Sequence, residues 1–135
     1  MSRLLAVDWG EKRVGLAISN PERSLVRTLE RLQVRGYRDA VSKILTITHR
    51  EHCNEVLLGL PLNMDGSEGE SARRVRKLGA TLVSKGLSVY YTDERLSSEA
   101  AEAMIRDEPS RSQEEVDSLA AATFLKQYLE SHGSA

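Results

Sequence analysis

A chain of 135 residues, 40% hydrophobic and 29% charged, has the size and composition of one globular domain with a single core. The near-neutral net charge of -1 does not mark a polyanion binder, and 4% aromatic residues argue against a module that reads single-stranded bases on an aromatic platform. A single cysteine, Cys53, leaves no internal disulfide to form and points to a reducing compartment.

The first apolar run, Leu4 to Val7, is too short for a signal peptide or a membrane span, so a soluble cytoplasmic protein is expected. Without helical periodicity, it reads as a central strand buried on both faces and ending at Asp8 and Gly10. Val14 to Ser19 predicts a second strand. The turn chemistry of Asn20-Pro21-Glu22-Arg23 leads into a third, over about 25–32, and the short connections imply an antiparallel meander. Helical spacing of Ala40, Val41, Ile44, Leu45 and Ile47 predicts a helix over about 37–52. A fourth strand follows from Glu55 to Leu60, closed by Pro61. Asp65-Gly66-Ser67 reads as a turn and cap opening a helix to about Lys85. A fifth strand over about 87–92 and two helices, near 97–107 and 113–131, complete the order βββαβαβαα. That order predicts an α/β fold with a mixed five-stranded sheet, three antiparallel strands plus two parallel ones, and helices on both faces.

Charge is unevenly distributed. Residues 1–86 carry 15 Lys/Arg against 10 Asp/Glu, whereas residues 87–135 carry 4 against 10. Such a division suits a protein that holds cations at one place and phosphates at another.

Three acids stand at predicted element ends. Asp8 lies at the carboxyl end of a buried strand and is followed closely by a glycine, in the position where open α/β sheets collect ligands. A carboxylate there can bind a hard divalent cation or act as a base; as Asp-x-Gly alone it is equally a strand-end turn. In Tyr91-Thr92-Asp93-Glu94-Arg95-Leu96-Ser97-Ser98, strand alternation sends Asp93 and Glu94 to opposite faces, so one of them enters the site. Asp117 precedes small residues, Ala120 and Ala121, that let the last helix pack closely on the sheet. Together such acids make an oxygen-ligand set for Mg2+ or Mn2+, the chemistry of metal-assisted phosphodiester hydrolysis. Glu114 and Glu115 read as first-turn acids favoured by the helix dipole. Lys12, Arg13 and Arg95 add positive charge near the acids. Arg73, Arg74, Arg76 and Lys77 follow a helix start that either binds phosphate or is an ordinary solvated face. His49, His52 and Cys53 crowd one helix end without zinc-ligand spacing.

Asp8-Trp9-Gly10-Glu11-Lys12-Arg13-Val14-Gly15-Leu16-Ala17, Gly59-Leu60-Pro61-Leu62-Asn63-Met64-Asp65-Gly66, Asp93-Glu94-Arg95 and Asp117-Ser118-Leu119-Ala120-Ala121 occur in this order, and with them the chain resembles the YqgF, or RuvX-type, family of RNase H-like proteins. The resemblance runs from Leu4 to about Glu130 and departs at Asn20, where the family often has aspartate, and in a less basic stretch over 108–113. It implies a single RNase H-like nuclease domain over 1–135, in the cytoplasm. The implied activity is metal-dependent hydrolysis in 5′-end maturation of pre-16S rRNA. Asp8, Glu94 and Asp117 are carried over as catalytic, metal-holding acids, and Lys12, Arg13, Arg95, Arg73 and Arg74 as nucleic-acid-binding residues. The partner is structured RNA, with no membrane and a monomer or weak homodimer. Two other readings remain open: a resolvase of Holliday junctions or branched DNA, and a non-catalytic RNA- or pre-ribosome-binding factor. An actin-like ATPase also opens on Asp-x-Gly but needs two such lobes.

Overall fold

A computed structural model describes residues 2–94 and 113–132, the side chains of 113–117 excepted. Leu4, Leu5, Ala6 and Val7 are fully buried, so β1 (Leu4–Asp8) is covered on both faces. It pairs antiparallel with β2 (Arg13–Ser19), Asp8 standing opposite Gly15, and β3 (Val26–Gln33) extends the meander from β2. At the intervening turn, Asn20 Oδ1 accepts hydrogen bonds from the Ser24 and Leu25 N–H groups, at 2.8 and 3.0 Å. The departure from aspartate at this position therefore serves the strand-end turn.

α1 (Tyr37–Arg50) crosses to β4 (Glu55–Leu60), which lies parallel to β1, and α2 (Glu70–Ser84) crosses to β5 (Ser88–Asp93), parallel to β4. The sheet order is β3-β2-β1-β4-β5. This is the expected mixed sheet of three antiparallel and two further parallel strands. The last described helix, α3 (Gln113–Ser131), covers the face opposite α1 and α2.

Side-chain alternation divides the core into two layers. Leu5, Val7, Leu16, Ile18, Val56 and Leu58 pack with α1 and α2, whereas Leu4, Ala6, Ala17 and Leu57 pack with Ala121, Phe124 and Leu125 of α3. Cys53 is buried, its thiol within hydrogen-bond reach of the Arg3 and Glu55 carbonyls at 3.2 and 3.1 Å.

One expected boundary is displaced. The residues read as a cap for α2 make a separate turn: Asp65 Oδ1 accepts from the Ser67 N–H and hydroxyl at 2.9 and 2.6 Å, and the Asn63 N–H donates to the Ser67 carbonyl. Short polar side chains here satisfy the backbone locally and compete with helix formation. The helix starts after Gly69, which makes no side-chain cap bond. The helix expected near 97–107, with Arg95 and Ser97, lies outside the described residues.

Candidate active site

β1, β4 and β5 run parallel, so their carboxyl ends share one edge of the sheet. Asp8 ends β1 on the same face as Leu4 and Ala6, the face covered by α3. On β5, Tyr90 lies against Tyr128 of α3 with ring centroids 6.4 Å apart, while Tyr91 meets Gly79 of α2. Alternation from these two residues puts Asp93 on the α2 side and Glu94 on the α3 side, with Asp8. The Glu94 N–H donates to the Leu60 carbonyl at 3.3 Å, which carries the ladder one residue past the strand.

β4 separates β1 from β5, a backbone gap of roughly 10 Å. Glu94 crosses it: its carboxyl shares a hydrogen bond with the side chain of Asp8. Gly59 makes the crossing possible. It ends the α3-facing row of β4, and a Cβ there would lie 2.6 Å from Glu94 Oε2 and 2.8 Å from Phe124 Cε2. The missing methyl leaves a slot that the glutamate and the Phe124 ring fill together.

Burial in that slot pushes the Glu94 carboxyl above its ordinary range. The hydrogen bond to Asp8 opposes the rise, and the charge of Asp93 adds to it. Two carboxyl groups sharing a hydrogen bond need a proton or a cation between them.

Asp117 stands on α3 one turn before Ala121 and two turns before Phe124, the helical stripe that meets the sheet. Its side chain lies outside the described residues. Next to it, the Ser118 hydroxyl donates to the Leu29 carbonyl of β3 at 2.7 Å and pins this end of the helix. Ala121 and Ala122 are buried and Ala120 is half-buried, in keeping with close packing of the helix. Among the described residues, no group of three His, Cys, Asp or Glu side chains is placed to hold a metal ion.

Lys12, in the β1–β2 turn, and Arg13, at the start of β2, are exposed, and with Arg74 of α2 they line an open groove of about 1300 Å3. Trp9, also in its lining, packs on the core beneath α1 and α2, so the groove opens on the face opposite the carboxyl pair. Arg74 bridges Glu11 and Glu70. Arg73 is exposed on α2 outside the lining, and Arg76 lies over the Tyr91 ring at 4.8 Å while pairing with Glu68. Arg95 lies outside the described residues.

From the sequence, Gly59 reads only as a residue of the fourth strand and of a family motif, and Phe124 is passed over. A glycine inside the otherwise apolar strand Glu55–Leu60 was the available signal, since such a position marks close approach by another group.

Residues 2–131 match the family model described as "RuvX: Holliday junction resolvase". The chain belongs to the RuvX family. Its relatives include a protein of Dictyoglomus thermophilum named "Putative pre-16S rRNA nuclease", 35% identical over 96% of each chain. A protein of the same name from Maridesulfovibrio salexigens is 36% identical, over 94% of this chain and 97% of its own. Among solved structures, RuvC of T. thermophilus in complex with a Holliday junction substrate superposes with a TM-score of 0.60 at 19% identity, over 100% of this chain and 98% of that one. The fowlpox virus Holliday junction resolvase gives 0.57 at 16% identity, over 96% and 99%. These two likenesses concern the fold alone, which is the RNase H-like fold expected from the sequence.

Proposed function

We propose that this RuvX chain is a divalent-metal-dependent nuclease that hydrolyses phosphodiester bonds in 5′-end maturation of precursor 16S rRNA. The observation that carries the reading is the Asp8–Glu94 carboxyl pair, brought together across Gly59 at the carboxyl edge of the sheet. The names borne by the Dictyoglomus and Maridesulfovibrio relatives support the RNA substrate.

The donor set fits a hard cation. Carboxylate oxygens are the ligands that Mg2+ and Mn2+ take, and two of them crowded in a partly buried slot would give such an ion a pair of donors. Asp8 and Glu94 would hold the ion from the sheet, and Asp117 would add a third carboxylate from α3. When bound, such ions activate water and neutralise charge on the phosphoryl oxygens. The chain's own part is positioning. Asp8 is fixed by β1, which is buried on both faces, and Glu94 is confined by Phe124 and the backbone of Gly59. Lys12, Arg13, Arg73, Arg74 and Arg95 would take substrate phosphates away from the carboxyl pair, positioning without reading sequence.

A cleavage assay with Mn2+ or Mg2+ tests this on three substrates: a precursor rRNA fragment, a four-way DNA junction and a plain single strand. Wild type should cut the precursor RNA, and Asp8→Asn should lose at least about a hundredfold in rate, as expected when a metal-holding carboxylate is removed. Equal cleavage by the mutant overturns the assignment. Junction cleavage without RNA cleavage would instead support the branched-DNA reading, which the family's description favours. Binding without any cleavage would support a non-catalytic factor.

A further inference from the structure

The carboxyl pair occupies one face of the sheet edge, and the groove on the other face takes no part in it. Beyond Lys12, Arg13 and Arg74, the lining gains Arg31 and Arg35 from β3 and its exit, Lys43 from α1 and Lys77 from α2. Glu11 is the one acid in this lining among the described residues, and it is paired with Arg74. In a chain of net charge -1, such a gathering of cations in one concavity sets up a local field for a polyanion. At about 1300 Å3 the groove exceeds the roughly 300–1,000 Å3 typical of small-molecule pockets.

The lining also has aromatic groups. Trp9 is the chain's one tryptophan, and Tyr37 at the start of α1 also lines the groove, with Lys77 Nζ 5.0 Å from the Tyr37 ring centroid. Basic walls with an aromatic surface suit a single strand, whose bases are free to stack, better than a duplex. Scarcity of aromatics over the whole chain argued against such a site, but what matters is where the few are placed.

Position supplies the link to the carboxyl pair. Trp9 directly follows Asp8, and Arg13 lies two residues beyond Gly15, the cross-strand partner of Asp8, a distance of roughly 7 Å along the strand. We propose that this groove holds a single-stranded flank of the polynucleotide substrate, continuing from the phosphate at the carboxyl pair around the sheet edge. The identity of the occupant rests on the nuclease reading, whereas the groove's affinity for a single strand can be measured without it.

Trp9 emission reports occupancy directly. The full chain is titrated in EDTA, where no metal-dependent cleavage occurs, with a single-stranded octaribonucleotide at several salt concentrations. Emission should change saturably. Arg35→Ala with Lys77→Ala, both exposed positions, should weaken binding roughly tenfold and lower the log–log salt slope by about 1.4, two cations at about 0.7 each. Lys12→Ala, on the other wall, should lower the slope by about 0.7. Arg50→Ala with Lys85→Ala makes the same charge change at the far ends of α1 and α2 and should leave both quantities unaltered. Unchanged binding in the groove variants overturns the proposal, as do an equal loss in the remote pair or equal displacement by poly-glutamate. Asp8-dependent cleavage with groove variants that bind normally would sink the groove alone. Groove-dependent binding by a chain that cuts nothing would sink the nuclease reading alone.

Discussion

At Gly59 the space for one methyl group separates the close Asp8–Glu94 carboxyl pair from a displaced one. Gly59→Ala would press a Cβ against Glu94 Oε2 and the Phe124 ring, and overpacking of this kind costs about 1–3 kcal/mol. Because one of the two displaced groups is Glu94, nuclease activity per folded molecule should fall at least about tenfold, more than the melting temperature alone accounts for. Gly79 provides the contrast. A Cβ there meets the Tyr91 hydroxyl between α2 and β5, away from the acids. Gly79→Ala should therefore lower the melting temperature while folded protein keeps its rate, and a matching loss of rate in both mutants would refute the role given to Gly59. Cys53 makes a third prediction at this scale. Burial pushes its thiol from an ordinary 9.0 to about 11, so the native state holds the proton more tightly than the unfolded chain. Between those values the unfolded state binds fewer protons, and stability falls as pH rises. Cys53→Ala should show a shallower loss of melting temperature from pH 9 to 11, even if the cavity lowers its stability throughout.

Among the elements, α3 bears on the site most. It lies across the sheet from Ser118 at β3, past Phe124 over Gly59, to Tyr128 beside Tyr90 of β5. The Ser118 hydroxyl is buried and fixes the turn that carries Asp117. Ser118→Ala leaves the Leu29 carbonyl without this donor, a cost of about 1–3 kcal/mol. Urea denaturation should show that loss, and the metal concentration for half-maximal cleavage should rise as Asp117 is held less firmly. An unchanged metal requirement would separate the helix anchor from the site. β5 shows how far element-level reading reaches. Alternation alone required Asp93 and Glu94 to diverge, but which of them faces the site depends on Tyr90 meeting α3 and Tyr91 meeting α2. The start of α2 was misplaced for a related reason: Asp65 and Ser67 have cap chemistry, and in the fold they spend it on a turn of their own.

For the whole molecule, the charge division has a spatial counterpart. All the groove cations come from residues 1–86, and those on α1 and α2 lie on the opposite face of the sheet from the Asp8–Glu94 pair. On the proposed reading, a cation bound by these acids should stabilise the protein. Mn2+ at a hundredfold excess over its dissociation constant adds about 2.7 kcal/mol, a shift of several degrees in melting temperature. Wild type should show that shift and Asp8→Asn should not; equal shifts would place the ion elsewhere. Among the described residues, no helix is long and apolar enough to cross a membrane. Local chemistry by itself determined the strands, most helix bounds and the place of Asp8 at the end of β1, because an apolar run ending in Asp and Gly has few ways to fold. The order of motifs likewise determined the family. Only the tertiary structure decided that Glu94 reaches Asp8, that Gly59 and Phe124 shape its path, and that the basic residues gather in one groove. Those facts depend on which strands become neighbours and which faces the helices cover, and long-range packing, rather than any local pattern, sets both.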